Sequence, residues 1–304
     1  MTTGSQAHNL KFKMVFQARL VRRIARRASQ ALRFGPLSNS PVFFANSFPK
    51  SGTHLLTQVM HGFTHIGPAV DSGLPAVVTF ESFTGRQRSE AEILGDLRRF
   101  LPGDIGYGHL HATPEIAAFL CQDRTAAYLI LRDPRDVAIS HVHYVTEMKP
   151  KHVLHRYYQE HLHSFDERLS ASIEGVTNVE LEIALGEPTQ ASLPGIRARF
   201  EPFLGWLARL EVMVLRYEDF ISERGQALEK VLDHALECGF KLSILRTSAI
   251  QILEQSINPQ RSPTFRSGKV GGWRAAFTED HKQAFKDIAG DLLLLLGYET
   301  NQDW

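Results

Sequence analysis

Lys50, Ser51, Gly52 and Thr53 put a mobile cation, two hydroxyls and a glycine in consecutive positions. This combination suits the binding of a phosphate-type anion. The tetrad follows a short apolar run, Pro41-Val42-Phe43-Phe44-Ala45. It leads through His54 into Leu55-Leu56-Thr57-Gln58-Val59-Met60, whose apolar residues recur at helical spacing. The expected elements are a strand, a tight turn and a helix N-terminus. First-turn N–H groups lack intrahelical partners and the helix dipole is positive at that end, so such a junction attracts anions. Gly52 allows an unusual backbone and close approach, Ser51 and Thr53 add hydroxyl donors, and Lys50 adds charge. The order differs from the nucleotide triphosphate loop, which places its glycines before the lysine. Here no glycine falls between Gly35 and Gly52.

A second segment has the same logic. Ala127-Tyr128-Leu129-Ile130-Leu131 reads as a buried strand, and Arg132-Asp133-Pro134-Arg135-Asp136-Val137-Ala138-Ile139-Ser140 follows it. Pro134 disfavours helix at Asp133 and suits the first turn of a helix beginning with Arg135 and Asp136. Arg132 at the strand end and Ser140 on the next helix can both aim donors at one anion. The competing reading is a surface salt-bridge cluster among Arg132, Asp133, Arg135 and Asp136, energetically minor.

Together these two segments resemble the donor-binding motifs of sulfotransferases, enzymes that use 3′-phosphoadenosine 5′-phosphosulfate (PAPS) as sulfuryl donor. Val214-Leu215-Arg216-Tyr217-Glu218-Asp219-Phe220 resembles that family's third strand and its turn. Arg266-Ser267-Gly268-Lys269-Val270-Gly271-Gly272-Trp273-Arg274 resembles its C-terminal arginine-glycine loop. The matches run in family order from about Pro41 to Trp273. The resemblance implies that Lys50 contacts the bridging oxygen of the phosphosulfate, with Ser51, Gly52 and Thr53 around the same phosphate and His54 and Leu55 beside them. It implies that Arg132, Ser140, Arg266, Ser267 and Gly268 hold the 3′-phosphate and that Tyr217 faces the adenine. Leu55 stands where the cytosolic branch stacks a tryptophan, and Ser267 stands where it has a lysine. Both departures are expected to lower donor affinity.

Sulfuryl transfer, like phosphoryl transfer, depends on positioning and on charge stabilisation at the leaving oxygen. The acceptor hydroxyl must also lose a proton, and histidine, with an ordinary pKa of about 6.5, suits that task. Gly106-Tyr107-Gly108-His109-Leu110-His111 resembles the family stretch that carries the catalytic histidine before a leucine, which assigns the base to His109. His111 is expected to face away from it. His141, His143, His152, His155, His161 and His163 lack metal-ligand spacing, so no metal is expected there, and a solvated or acceptor-lining helix face is the better reading. Residues near 76–83 and this histidine-rich stretch are expected to line a pocket for a small-molecule, glycan or lipid acceptor. A kinase, or a non-catalytic protein binding a nucleotide or a membrane, remains the alternative. Glycine order and the lack of an evident magnesium aspartate disfavour the kinase.

The elements that must position these residues follow. Strands alternating with helices predict an α/β fold, a central parallel sheet flanked by helices with ligands at the strands' carboxyl ends. A helix is expected around Ser89–Phe100, within an otherwise irregular 66–105. Further elements are a strand over 212–216, helices near 222–238 and from Glu279, and an acceptor-side cap over 148–200. At 304 residues and net charge +1, the chain can bury a large core and has no global field for nucleic acid. Two cysteines give no disulfide framework and fit a cytoplasmic setting.

Charge is nevertheless uneven: no Asp or Glu precedes Asp71, while Lys11, Lys13, Arg19, Arg22, Arg23, Arg26, Arg27, Arg33 and Lys50 do. Phe12, Phe16, Leu20, Ile24, Ala28 and Leu32 recur every fourth residue. Residues 1–40 are therefore expected to form a basic amphipathic helix and linker ahead of the sulfotransferase domain at 41–304. Residues 10–33 either pack on the domain or lie on a membrane surface, with a targeting segment as a third reading. Membrane contact would favour a lipid acceptor.

Overall fold

The structure, a computed structural model, describes residues 21–81, 84–262 and 268–304. Strands β1 (Val42–Ser47), β2 (Val70–Asp71), β3 (Val77–Val78), β4 (Asp104–His109), β5 (Thr125–Leu131) and β6 (Val212–Arg216) form one parallel sheet. Its order is β2-β4-β1-β5-β6, with β3 sharing the outer edge of β4. Central β1 and β5 are almost wholly buried, because helices cover both faces and leave no polar side. Side-chain alternation divides the core. Phe43, Ala45, Tyr128 and Ile130 face one layer, with α2 (Thr53–Gly62), α11 (Arg224–Glu237) and α12 (Arg246–Ser256). Phe44, Leu129 and Leu131 face the other, which includes α3 (Glu90–Leu97), α4 (Pro114–Leu120), α5 (Pro134–His143) and α14 (Glu279–Leu295). Full burial of each such Phe or Leu contributes roughly 1.5–3 kcal/mol relative to exposure.

Between β5 and β6 lie α6 (His155–Glu160), α7 (Phe165–Glu174), α8 (Asn178–Leu185) and α9 (Ile196–Leu204), so the region expected to cap the acceptor side is helical. Reciprocal capping by Ser164 with Glu167, and by Thr177 with Glu180, starts α7 and α8. Short α10 (Tyr217–Ser222) follows β6, and α13 (Trp273–Ala276) precedes α14. The expected irregularity of 66–105 is only partly right. The helix expected around Ser89–Phe100 is present as α3, capped by Ser89, but it stops at Leu97, and β2 and β3 occupy two residues each.

Helix α1, covering 21–34 of the described residues, meets the domain with its basic side. Arg23 and Arg27 both pair with the fully buried carboxylate of Asp104, and Arg26 pairs with Asp71. Asp104 opens β4 and Asp71 pairs beside Ile105, so α1 lies along the amino-terminal edge of the sheet.

Candidate active site

The chain leaves β1, builds the outer strands β2 to β4 on one side, then crosses to β5 and β6 on the other. The carboxyl end of β1 is therefore the switch point where an open α/β sheet receives ligands. There Lys50 adopts φ 71° and Gly52 φ 106°, both left-handed. A lysine in that region costs on the order of 1–3 kcal/mol, a strain typical of ligand-binding turns. The first helical bond of α2 is Leu56 N–H to Gly52 O, so the N–H groups of Thr53, His54 and Leu55 precede any intrahelical partner. Ser51 is fully buried and its hydroxyl has no hydrogen-bond partner. An orphaned hydroxyl beside free N–H groups fits a phosphate. Lys50 Nζ lies 4.1 Å from the Tyr144 ring centroid. Burial, and secondarily the charge of Arg132, lower its pKa to about 8. The second turn thus acts electrostatically on the first.

His109 closes β4 beside Ser47. Its Nδ1 lies 2.8 Å from the Ser47 carbonyl oxygen and 3.1 Å from Ser47 Oγ. A carbonyl only accepts, so Nδ1 carries the proton and Nε2 keeps a lone pair. Ser47 Oγ also meets Thr53 Oγ1 at 2.8 Å, linking the histidine to the anion turn. Burial is the main cause that holds the His109 pKa below its ordinary value. The Ser47 bond opposes it, and His54 and Lys50 reinforce it. These influences together favour the neutral ring. Two devices fix this strand end. Val77 approaches so closely that a side chain on Gly108 would fall on its carbonyl oxygen. The buried Asn46 amide bonds both Leu110 N, at 2.8 Å, and Leu110 O, at 3.0 Å, replacing the ladder where β4 stops.

At the end of β5, Arg132 lies 4.6 Å above the Tyr217 ring and donates to Lys269 O at 2.8 Å. Its buried Nε has no partner. Asp136 accepts from Gly271 N at 2.9 Å and Trp273 N at 3.0 Å, anchoring the C-terminal loop over the second turn. Ser140 is half-buried one helical turn beyond Asp136. The expected surface cluster does not exist in that form. Arg135 is buried, paired with Asp133 at 2.8 Å and Glu299 at 2.6 Å, and lies against both Trp273 and Trp304, whose rings meet edge to face. It is a structural core cation, whereas Arg132 pairs with Asp136 at 3.4 Å and stays partly exposed at the strand end.

Lys50, Ser51, Gly52, Thr53, His54 and Leu55 form the first turn and helix start, with His109 adjacent. Arg132 and Tyr217 stand together across from them. Gly268, at φ 63°, begins the described part of the C-terminal loop; Arg266 and Ser267 lie outside the described residues. Sequence reasoning missed Ser47, Asp136 and Tyr144. Ser47 and His109 are neighbours by strand register, since Asn46 pairs with Gly108. Asp136 was visible only as one charge in a run. Tyr144 reaches Lys50 from a π-helical turn, Tyr144–Met148, that no spacing rule anticipates. A continued strand would put His111 on the same side as His109. The strand stops, and His111 packs between Phe80 and Phe203 at 5.6 and 5.1 Å. The histidine-rich stretch divides: His143 meets Glu147 and His155 meets Val145 O, while His141 and His152 meet edge to face at 6.0 Å, with His152 also against Tyr144 at 5.7 Å.

A parallel sheet flanked by helices, with cation-bearing turns at two neighbouring strand ends, defines an open α/β architecture. Residues 109–297 match the sulfotransferase domain family, and the chain belongs to it. No curated protein matches the sequence. Among solved structures the fold is similar to retinol dehydratase in complex with androsterone and the inactive cofactor PAP. That similarity has 16% identity and TM-score 0.55, covering 84% of this chain and 83% of that one. It is also similar to a mouse sulfotransferase complexed with PAP, at 17% identity and TM-score 0.53, covering 83% and 84%.

Proposed function

We propose that this protein moves a sulfuryl group from PAPS to an acceptor hydroxyl or amine by in-line transfer, with His109 as base. The observation that carries this reading is the joint setting of Lys50, His109 and Arg132. A neutral histidine with a free Nε2 stands in the field of Lys50, and Lys50 stands in that of Arg132. His109 Nε2 takes the acceptor proton as the acceptor oxygen bonds to sulfur. The bond from sulfur to the donor's phosphate oxygen breaks, and Lys50 stabilises the charge left there. Ser51 and the N–H groups of Thr53 and His54 hold the 5′-phosphate. Arg132, Ser140 and the loop from Arg266 through Gly268 hold the 3′-phosphate, and Tyr217 packs on the adenine. No step of this chemistry calls for a metal.

The acceptor is a small molecule, a glycan or a lipid. Phe80, half-exposed beside His111, supports an aromatic or apolar contact there. A cytoplasmic enzyme that associates peripherally with membrane fits the chain. Among the described residues no helix is long and apolar enough to cross a bilayer. Incubating the purified chain with sulfate-labelled PAPS and a panel of phenols, sugars and lipids tests the reading. Labelled acceptor together with PAP is expected. Phosphate transfer from ATP in place of sulfate transfer would establish the kinase alternative, and nucleotide binding with no transfer to any acceptor would favour a binding protein.

A further inference from the structure

Helix α1 is docked inside out. Arg23, Arg26, Arg27 and Gln30 occupy one side and bind Asp104, Asp71 and Thr64 O. At 3.6 residues per turn, Val21, Ile24, Ala28 and Leu32 fall on the opposite side. That side faces solvent: Val21 is 63%, Ile24 59% and Leu32 90% exposed. An apolar helix face kept outward while charged partners are buried beneath it is characteristic of a docking surface.

We propose that this face seats the protein on an anionic lipid surface. Charge decides the occupant. Exposed Arg22 and Arg33 border one edge of the apolar stripe, Lys11, Lys13 and Arg19 precede it in sequence, and no acidic residue occurs before Asp71. Basic residues bordering an apolar helix face complement acidic headgroups above and acyl chains below. A second copy would bring two basic helices together and repel. The inference does not depend on the reading of the catalytic site, which lies at the opposite end of the strands. Six-residue β1 places the two ends about 20 Å apart. The bilayer therefore meets the edge remote from Lys50 and His109, and the site opens away from it. The expectation that membrane contact favours a lipid acceptor is reversed: a tethered enzyme of this geometry reaches acceptors from the aqueous side.

Sedimentation of the full chain with phosphatidylcholine vesicles, with and without phosphatidylserine, tests this. The protein is expected to pellet with the phosphatidylserine vesicles and to release as salt rises. Ile24→Glu with Leu32→Glu should cut partition roughly tenfold or more while thermal midpoint and PAP affinity stay unchanged. Ile24→Ser with Leu32→Ser gives the same test with a milder change should the glutamates disturb folding. Equal pelleting of wild type and both double variants overturns the proposal, as does wild-type indifference to phosphatidylserine. So does a dimer by light scattering that the substitutions dissociate, which would make the face a self-association surface.

Discussion

Tyr217 touches both anion turns at once: Gly52 lies against its ring edge while the Arg132 guanidinium sits over its face at 4.6 Å. The ring is a spacer between the end of β1 and the end of β5. Gly52 is the only residue type that fits, because a Cβ there would come within 2.7 Å of Tyr217 Cδ2 and φ is 106°.

Gly52→Ala should therefore destabilise the fold by about 1–3 kcal/mol and weaken PAP binding more than tenfold. Thermal melting and calorimetric titration read the two effects. Trimming the ring in a Gly52→Ala, Tyr217→Leu double variant should recover part of the stability, since it removes the clash but not the unfavourable φ.

The pH profile of kcat/KM should be bell-shaped. His109 acts as base only when neutral and its pKa lies below the ordinary value, so activity rises with pH through an acid limb below about 6.5. Lys50 acts only when charged, so activity falls above its pKa of about 8. Lys50→Arg should move the alkaline limb upward by keeping the charge, and Lys50→Ala should depress kcat more than donor affinity. A profile with no fall by pH 9 would remove the Lys50 assignment, and one with no acid limb at all would remove that of His109.

Donor binding should take up a proton above pH 8. Free Lys50 is largely neutral there, and an adjacent phosphate favours the charged form, raising its pKa. Titrations of PAP at pH 8.5 in buffers of different ionisation enthalpy should show fractional proton uptake that vanishes in Lys50→Met. The same shift gives a stability signature. With the folded pKa below the unfolded value, the Lys50 contribution is fully present only above the unfolded pKa of about 10.4 and is lost as pH falls through 8.

Asp136 should behave as a positioning residue. Asp136→Ala releases Gly271 N and Trp273 N, so hydrogen exchange over 268–273 should speed up. PAP affinity should then drop about tenfold or more, although the carboxylate repels the ligand it helps to bind. Tighter PAP binding in Asp136→Ala would show that its charge outweighs its anchoring.

The sheet and the two turns were legible because each is written locally. Apolar runs of strand length end at Lys50-Ser51-Gly52-Thr53 and at Arg132-Asp133-Pro134, and glycine and proline there have few other uses. What escaped depends on tertiary placement. β2 and β3 are too short to show a period, and Asp136 is identified as an anchor only once 271–273 folds over it. Arg135 is distinguished from Arg132 only by its tertiary partners, Glu299, Trp273 and Trp304. The N-terminal helix shows the limit of pattern reading most clearly. A four-residue repeat advances about 40° per step around a helix, so the apolar residues alone do not fix one face. Buried Asp104 fixes it, by drawing in Arg23 and Arg27.

The account stands most directly on a calorimetric comparison of PAP with adenosine 5′-monophosphate in wild type, Lys50→Ala and Arg132→Ala. It predicts one site per chain, with PAP the tighter ligand. Lys50→Ala should weaken both nucleotides, and Arg132→Ala should cost PAP about ten- to a hundredfold while sparing the monophosphate. Unchanged PAP affinity in Arg132→Ala, or two independent binding events, would contradict a single nucleotide held between the two turns.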